Sequence, residues 1–221
     1  MKLYSGPLSL FTAKVRIALD EKALTWDRVE VGWSVAQRYQ PHHPDVVAYN
    51  PKGQVPVLVD GDVVVYDSTI VLEYLEDRYP QPALYPRDAI GRARCRQLEA
   101  AADEIWFPPL WDLIEGVFYA ASGGGRDAAR VDAAREALGR HYDALDKELA
   151  GREFLCGGFS VADIGTFVMA NAAATLGAAP GEKHGHVRDW LARTRARPAV
   201  RREAEALGAY AASALAGAAA R

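Results

Sequence analysis

The stretch Asn50-Pro51-Lys52-Gly53-Gln54-Val55-Pro56-Val57-Leu58-Val59-Asp60-Gly61-Asp62-Val63-Val64-Val65-Tyr66-Asp67-Ser68 decides the fold. Two β-branched runs, Val55–Val59 and Val63–Tyr66, flank Asp60-Gly61-Asp62, the turn chemistry of a β-hairpin. Pro56 stands at the head of the first run. Proline donates no ladder hydrogen bond, so that end of the strand is an edge or a special turn. Directly after the second run, Ser68 to Tyr79 carries Ile70, Val71, Tyr74 and Leu75 at helical spacing, with Asp67 or Ser68 as N-cap. The unit reads ββα.

Upstream, Lys2-Leu3-Tyr4 is a short strand broken by Ser5-Gly6-Pro7. Thr12 to Lys22 puts Val15, Ile17, Ala18 and Leu19 largely on one helical stripe. Trp26 to Val31 alternates with period two and reads as a second strand. Residues 32–50, with Pro41 and Pro44, read as irregular around one short helix. The order βαβ then ββα is a thioredoxin-like arrangement. Past Pro80-Gln81-Pro82 the composition turns to Ala, Arg, Glu and Leu, with helices expected over 89–121, 127–149, 161–175, 184–195 and 199–216. The first of these should bend or break at Pro108-Pro109. Gly123-Gly124-Gly125 reads as a helix–helix linker, since no strand precedes it and no Lys-Ser/Thr pair follows. The expected division is an α/β domain over 1–80, a linker over 81–88 and an all-α domain over 89–221.

Composition narrows the function classes. With 221 residues, 50% hydrophobic and 25% charged, the chain has too much apolar content for disorder. A net charge of -3 argues against a nucleic-acid partner, and no apolar run approaches the ~20 residues that span a bilayer. The N-terminal MKLYSGPLSLF reads as no signal peptide, so the expected location is cytoplasmic. Cys95 and Cys156 have no metal-ligand spacing and read as reduced thiols rather than a disulfide. His42, His43, His141, His184 and His186 form no His-Glu-x-x-His pattern, and His184-Gly185-His186 reads as a solvated loop. No metal is expected.

Four pieces point to one site. In Ser9-Leu10-Phe11-Thr12, free amides and the dipole at a helix N-terminus favour an anion, and a hydroxyl there can donate to a thiolate; a plain helix cap is the alternative. Ahead of the strand at Pro56, a cis Val55–Pro56 bond would let the Val55 N–H and C=O face outward and pair with a peptide-like ligand. Asp67-Ser68 can hold an ammonium and the carboxylate beside it, or simply cap the helix. His42-His43 can meet a second carboxylate, or lie in a solvated loop. Farther on, Ser160-Val161-Ala162-Asp163 is a capping box with a structural role.

Together, Ser-x-Phe-Thr-x-Lys-Val-Arg, Asn-Pro-Lys-Gly-Gln-Val-Pro-Val-Leu and Tyr-Asp-Ser-x-x-Ile-x-x-Tyr-Leu resemble the N-terminal half of a cytosolic glutathione S-transferase. Phe159-Ser160-Val161-Ala162-Asp163-Ile164 and Trp190-Leu191-x-Arg193 with Arg197-Pro198 are similar to that family's helical half. The resemblance runs over nearly the whole chain in order. It implies a thioredoxin-like domain plus a helical bundle, glutathione as co-substrate, and a homodimer acting in detoxification. It implies Ser9 as activator of the thiol, as in serine-type classes such as phi, zeta and theta, with Phe11 beside it. Gln54 and Val55 fall on the binders of the cysteinyl-glycine backbone with Pro56 as the cis-proline, Asp67 and Ser68 on the γ-glutamyl end, and His42 or His43 on the glycine carboxylate.

Anchoring instead on Glu21-Lys22 aligns Thr12 with the hydroxyl residue of β-etherase-like and other bacterial classes, and Tyr4 is a third alternative. With no cysteine in the turn, disulfide-exchange chemistry of the omega or beta kind is disfavoured. A hydrophobic or aryl electrophile is expected between the domains against Trp106, Phe107, Trp111 and Phe118 or Tyr119, although an aromatic stripe on a helix is also core material. Glutathione-dependent isomerase, dehalogenase or β-etherase activity and a non-catalytic interaction module on the same fold are the competing readings. The zeta-type isomerase is weakened because Ser9-Leu10-Phe11 stands where its Ser-Ser-Cys turn would be.

Overall fold

A short helical crossover allows β1 and β2 to lie parallel, and tight turns allow the rest of the sheet to be antiparallel. The structure, a computed structural model, describes residues 1–40, 42–120 and 127–219. Strand β1 (Lys2–Ser5) leads through α1 (Leu10–Glu21) to β2 (Asp27–Glu30); α2 (Pro44–Tyr49) precedes β3 (Val57–Asp60), β4 (Val63–Tyr66) and α3 (Ser68–Arg78). The sheet order is β2-β1-β3-β4, with β1 parallel to β2 and antiparallel to β3, and β3 antiparallel to β4. Gly61 takes φ +61° in the hairpin turn, a conformation open to glycine.

Pleating sends alternate side chains to opposite faces. Leu3 and Leu58, with no exposure, belong to the core that α1 and α3 complete with Val15, Leu19, Val71 and Leu75. Tyr4 and Val57 go to the other face and pack with Val31 and Val46. Several boundaries differ from the sequence expectation, two of them for a plain local reason. Helix α1 starts at Leu10, because Ser9 caps it, and β3 starts at Val57, because Pro56 cannot donate to the ladder.

The chain after α3 is held by a buried ion pair. Lys22 Nζ donates to Glu76 Oε2 at 2.7 Å, to the Tyr79 carbonyl at 2.8 Å and to the Pro82 carbonyl at 2.9 Å, and Glu76 Oε2 also accepts the Leu84 N–H at 3.0 Å. Every donor on the ammonium is used, which is what a buried charge requires.

The chain divides into two units: Met1–Leu84 together with the last helix from Glu205 onward, and Tyr85–Ala204. The second unit holds α4 (Ala89–Ala101), α5 (Phe107–Leu113), α6 (Ala128–Glu148), α7 (Val161–Thr175), α8 (Gly185–Arg195) and the start of α9 (Pro198–Ala219). Wide π-helical stretches, Ala102–Trp106 and Ile114–Tyr119, flank α5. The expected break at Pro108-Pro109 is absorbed there: the prolines lie in the first turn of α5, where a missing amide costs little. The Gly123–Gly125 linker lies outside the described residues.

Asp163 organises the start of α7. It accepts the Leu155 N–H, the Ser160 N–H and hydroxyl, and the Trp190 indole N–H, all at 2.9–3.0 Å, while itself fully buried. The expectation of a solvated His184-Gly185-His186 loop is corrected at His184, which is buried, while Gly185 and His186 are exposed. His184 is 4% exposed at the start of α8, its Nδ1 accepting the Gly181 N–H and its Nε2 2.9 Å from Asp143; His186 meets Asp146 at 3.0 Å. Asp143 and Asp146 of α6, far off in sequence, partner the two imidazoles, and of the two only His184 is buried.

Candidate functional site

Register gathers three loops at one end of the sheet. Tyr4 stands opposite Val57, and Val57 opposite Tyr66. In antiparallel neighbours, the chain leaving β1 and the chain leaving β4 therefore emerge where the chain enters β3. Ser5–Ser9, Gln54–Pro56 and Asp67-Ser68 share that end, and α1 and α3 both begin there, capped by Ser9 and Asp67.

The Ser5–Ser9 turn is fixed by close contacts. Arg16 reaches back to the Ser5 hydroxyl and, at 3.1 Å, to the Gly6 carbonyl. A Cβ on Gly6 would lie 2.6 Å from the Tyr39 phenolic oxygen, so any larger residue would have to displace the Tyr39 ring. Ser9, 9% exposed, accepts the Thr12 N–H on its hydroxyl oxygen at 3.1 Å. That bond uses a lone pair and leaves the hydroxyl proton without an acceptor among the described residues. Thr12 is fully buried, and its hydroxyl has no partner among the described residues. Phe11 is half-buried, with Lys14 Nζ 5.6 Å from its ring centroid. The Tyr4 hydroxyl donates to Asp45 at 2.8 Å; burial and that carboxylate push its pKa up to about 12, so the phenol stays neutral and engaged.

The two adjacent histidines part company. His43 caps α2, its Nδ1 accepting the Asp45 N–H at 3.2 Å, and its ring packs edge-on to Tyr4. His42 is exposed and lies over Gly53: a Cβ at that position, φ +63°, would come 2.5 Å from the imidazole Nδ1. Of the two, His42 stands against the loop that carries Gln54.

That loop is shaped from below by buried Asn50, which donates to the Gln54 carbonyl at 2.7 Å and accepts the Lys52 N–H at 3.0 Å. The Val55–Pro56 peptide is cis, and the Val55 N–H makes no hydrogen bond among the described residues. Asp67 caps α3 through the Thr69 N–H at 3.2 Å and meets Lys52 Nζ at 3.3 Å. It does so at φ +76°, a backbone that costs a non-glycine residue ~1–3 kcal/mol. Ser68 follows as the buried first residue of the helix. The sequence reading missed the Asn50 clamp and the Lys52–Asp67 pair; the Asn50-Pro51 dipeptide, a turn signal, is the one local hint of the clamp.

The aromatic residues of the second unit separate as well. Trp106 is 7% exposed and packs on His141 and Tyr142 with ring centroids 5.4 and 5.1 Å away, so it is a core residue; Phe118 is equally buried. Phe107, Trp111 and Tyr119 remain half-buried and form a connected run, with centroids 5.9 Å apart for Phe107–Trp111 and 6.4 Å for Trp111–Tyr119.

Comparison with known proteins agrees with this architecture. Residues 3–83 match the family model for the glutathione S-transferase N-terminal domain, and residues 105–198 the model for the C-terminal domain. A Stringent starvation protein A homolog of Coxiella burnetii is 41% identical over 118 residues, which take in 52% of this chain and 53% of that protein. Glutathione S-transferase 3 of Zea mays is 29% identical over 94% of each chain. The crystal structure of a glutathione S-transferase from Rhodospirillum rubrum F11 superposes with a TM-score of 0.81 at 30% identity, covering 91% of this chain and 90% of that one. With both halves matched in order and a solved relative covered almost end to end, the chain belongs to the glutathione S-transferase family.

Proposed function

We propose that the protein is a glutathione transferase that activates the glutathione thiol at Ser9 and conjugates it to a hydrophobic or aryl electrophile. The observation that carries this reading is the convergence of Ser9, Val55 and Asp67-Ser68 at one end of the sheet. Each offers a group suited to a different part of the tripeptide. The Val55 N–H suits a peptide carbonyl, Asp67 and the α3 amides suit an amino acid's ammonium and carboxylate, and His42 beside Gln54 suits the far carboxylate. The Ser9 proton then donates to the sulfur.

The energies are sufficient. A thiol of pKa ~8.5 is a few per cent ionised at pH 7, and lowering it by about two units takes ~2.7 kcal/mol of preferential thiolate stabilisation. One hydrogen bond to a charged group provides ~1.5–3 kcal/mol, and a helix N-terminus adds ~0.3–1 kcal/mol. The buried, solvent-shielded Thr12 hydroxyl and the Asp45-bound Tyr4 phenol make Ser9 the favoured donor. The thiolate attacks the electrophilic carbon and the leaving group departs with the bonding pair. Phe107, Trp111 and Tyr119 are the proposed aryl-binding residues. Pairing as a homodimer is supported by the exposed Val63, Val64 and Tyr66 on edge strand β4 and by Ile70.

A second reading is a non-catalytic interaction protein on the same fold; in its support, a relative 41% identical over about half of each chain is named a Stringent starvation protein A homolog and not a transferase. Calorimetric titration with glutathione, followed by a conjugation assay with an activated aryl chloride, separates them. Saturable binding with turnover supports the transferase. Absence of binding leaves the interaction protein.

A further inference from the structure

Helix α2 has six residues, too few to be stable alone, so its ties to the sheet decide where its ends lie. One tie is apolar: Val46, 1% exposed, packs with Tyr4, Val31 and Val57. The other is polar. The buried Tyr4 hydroxyl reaches from β1 to the first turn of α2 and donates to Asp45 Oδ2 at 2.8 Å, across 41 positions of sequence. The Tyr4 ring meets His43 edge-on at 5.4 Å and Tyr49 at 5.8 Å. Asp45 in turn donates its amide to His43 Nδ1, so anchoring Asp45 also anchors the residue that follows His42. His42 is the imidazole that stands over Gly53. The far end of α2 is fixed separately by Asn50, whose amide bonds the Val46 carbonyl and whose side chain grips the Gln54 carbonyl.

Resting on the glutathione site proposed above, we infer that Tyr4 is a positioning residue: its hydroxyl, through Asp45, holds the front of α2 so that His42 meets the glycine carboxylate of the tripeptide. The sequence leaves Tyr4 as a third alternative for activating the thiol; its bond to Asp45 turns it to this other task. Burial and the Asp45 carboxylate keep the phenol protonated at neutral pH, so the donor is present wherever the site works. Without that bond, Val46 still packs against the sheet, but the front of α2 is no longer pinned. The arrangement with His42 over Gly53 is then populated only part of the time, and the apparent affinity for glutathione falls by that fraction. The Ser9 turn and the Asp67 cap lie on other elements and are untouched.

The test is calorimetric titration of the full chain with glutathione and with γ-glutamylcysteine, which lacks the glycine. Tyr4→Phe keeps the ring packing and removes only the hydroxyl, and Asp45→Ala removes the acceptor from an exposed position. Both should weaken glutathione about tenfold. Both should leave γ-glutamylcysteine within about twofold of wild type, as for independent contacts. The kcat at saturating glutathione and the pH dependence of the bound thiolate should not move. Asp45→Asn keeps an acceptor and should restore binding. Tyr4→Phe combined with His42→Ala should bind no more weakly than His42→Ala alone. No loss in Tyr4→Phe, an equal loss for both ligands, or Asp45→Asn as weak as Asp45→Ala would each overturn the inference and leave the glutathione site standing. A wild type that binds neither ligand would overturn the site, and the inference with it.

Discussion

The Ser9 hydroxyl oxygen accepts the Thr12 amide at 3.1 Å, so one group both caps α1 and keeps a proton to give away. The two roles come apart under mutation. Ser9→Ala loses both, Ser9→Thr keeps both, and Ser9→Gly gives up the hydroxyl at a helix-capping cost of only a few tenths of a kcal/mol. We expect Ser9→Gly to keep most of its thermal stability and to lose on the order of 10- to 100-fold in kcat/KM at pH 7, one charge-assisted hydrogen bond's worth. Thr12→Val should leave turnover within a few fold. Steady-state kinetics beside thermal melts decides both.

Asp67 gives a second, separable test. Asp67→Asn retains an acceptor for the Thr69 N–H but removes the charge that meets Lys52. The glutathione KM should rise about tenfold or more, as expected for loss of a charged hydrogen bond, with little change in the urea midpoint. Lys52→Ala, by contrast, frees the carboxylate and should not weaken binding by more than about twofold, since exposed ion pairs contribute ~0–1 kcal/mol.

Asp163 holds the second unit together. Asp163→Ala leaves the Leu155 and Ser160 amides and the Trp190 indole N–H buried without acceptors. At ~1–3 kcal/mol for each stranded donor, the loss should exceed ~3 kcal/mol, measured by urea unfolding. Trp190→Phe removes a single donor and should cost clearly less than Asp163→Ala.

The buried Lys22–Glu76 pair predicts a non-additive pattern. Glu76→Gln leaves an uncompensated ammonium and should cost ~3–5 kcal/mol, whereas the double change Lys22→Met with Glu76→Leu should recover much of that loss. A double-mutant cycle reads the coupling directly. Equal, additive losses would contradict it.

Acid should weaken the first unit through Asp60. Hydrogen bonds from Tyr79 and Tyr74 hold its carboxyl below the ordinary aspartate value of 3.8. A depressed pKa means that the stabilisation is complete above the unfolded-state value and is lost as pH falls through the folded-state one. Asp60→Asn should therefore flatten the fall in urea midpoint below about pH 4, without altering the profile near pH 7.

Much of this was legible from local signals. The hairpin around Gly61, the caps at Ser9 and Asp67, and the Ser160–Asp163 box all lie within a few residues of the groups they bind, and spacing reports such contacts. Trp190 on Asp163, His184 on Asp143 and Lys22 under Glu76 join residues that are tens of positions apart. Periodicity marks each partner as inward-facing but carries no information on which inward-facing residue it will meet. The same blindness let Trp106 pass for a ligand-facing residue: an aromatic stripe looks alike whether it turns to a substrate or to Tyr142. His42 and His43 could not be told apart either, because the choice rests on the space that glycine leaves at position 53 and on the cap of α2.

The most direct test of thiol activation at Ser9 is the ultraviolet difference spectrum of glutathione bound to the protein near pH 6.5. A saturable thiolate band in the wild type, absent or shifted upward by about two pH units in Ser9→Gly with binding retained, is the predicted result. Glutathione bound without a thiolate band, or a band unchanged by loss of the Ser9 hydroxyl, would contradict it.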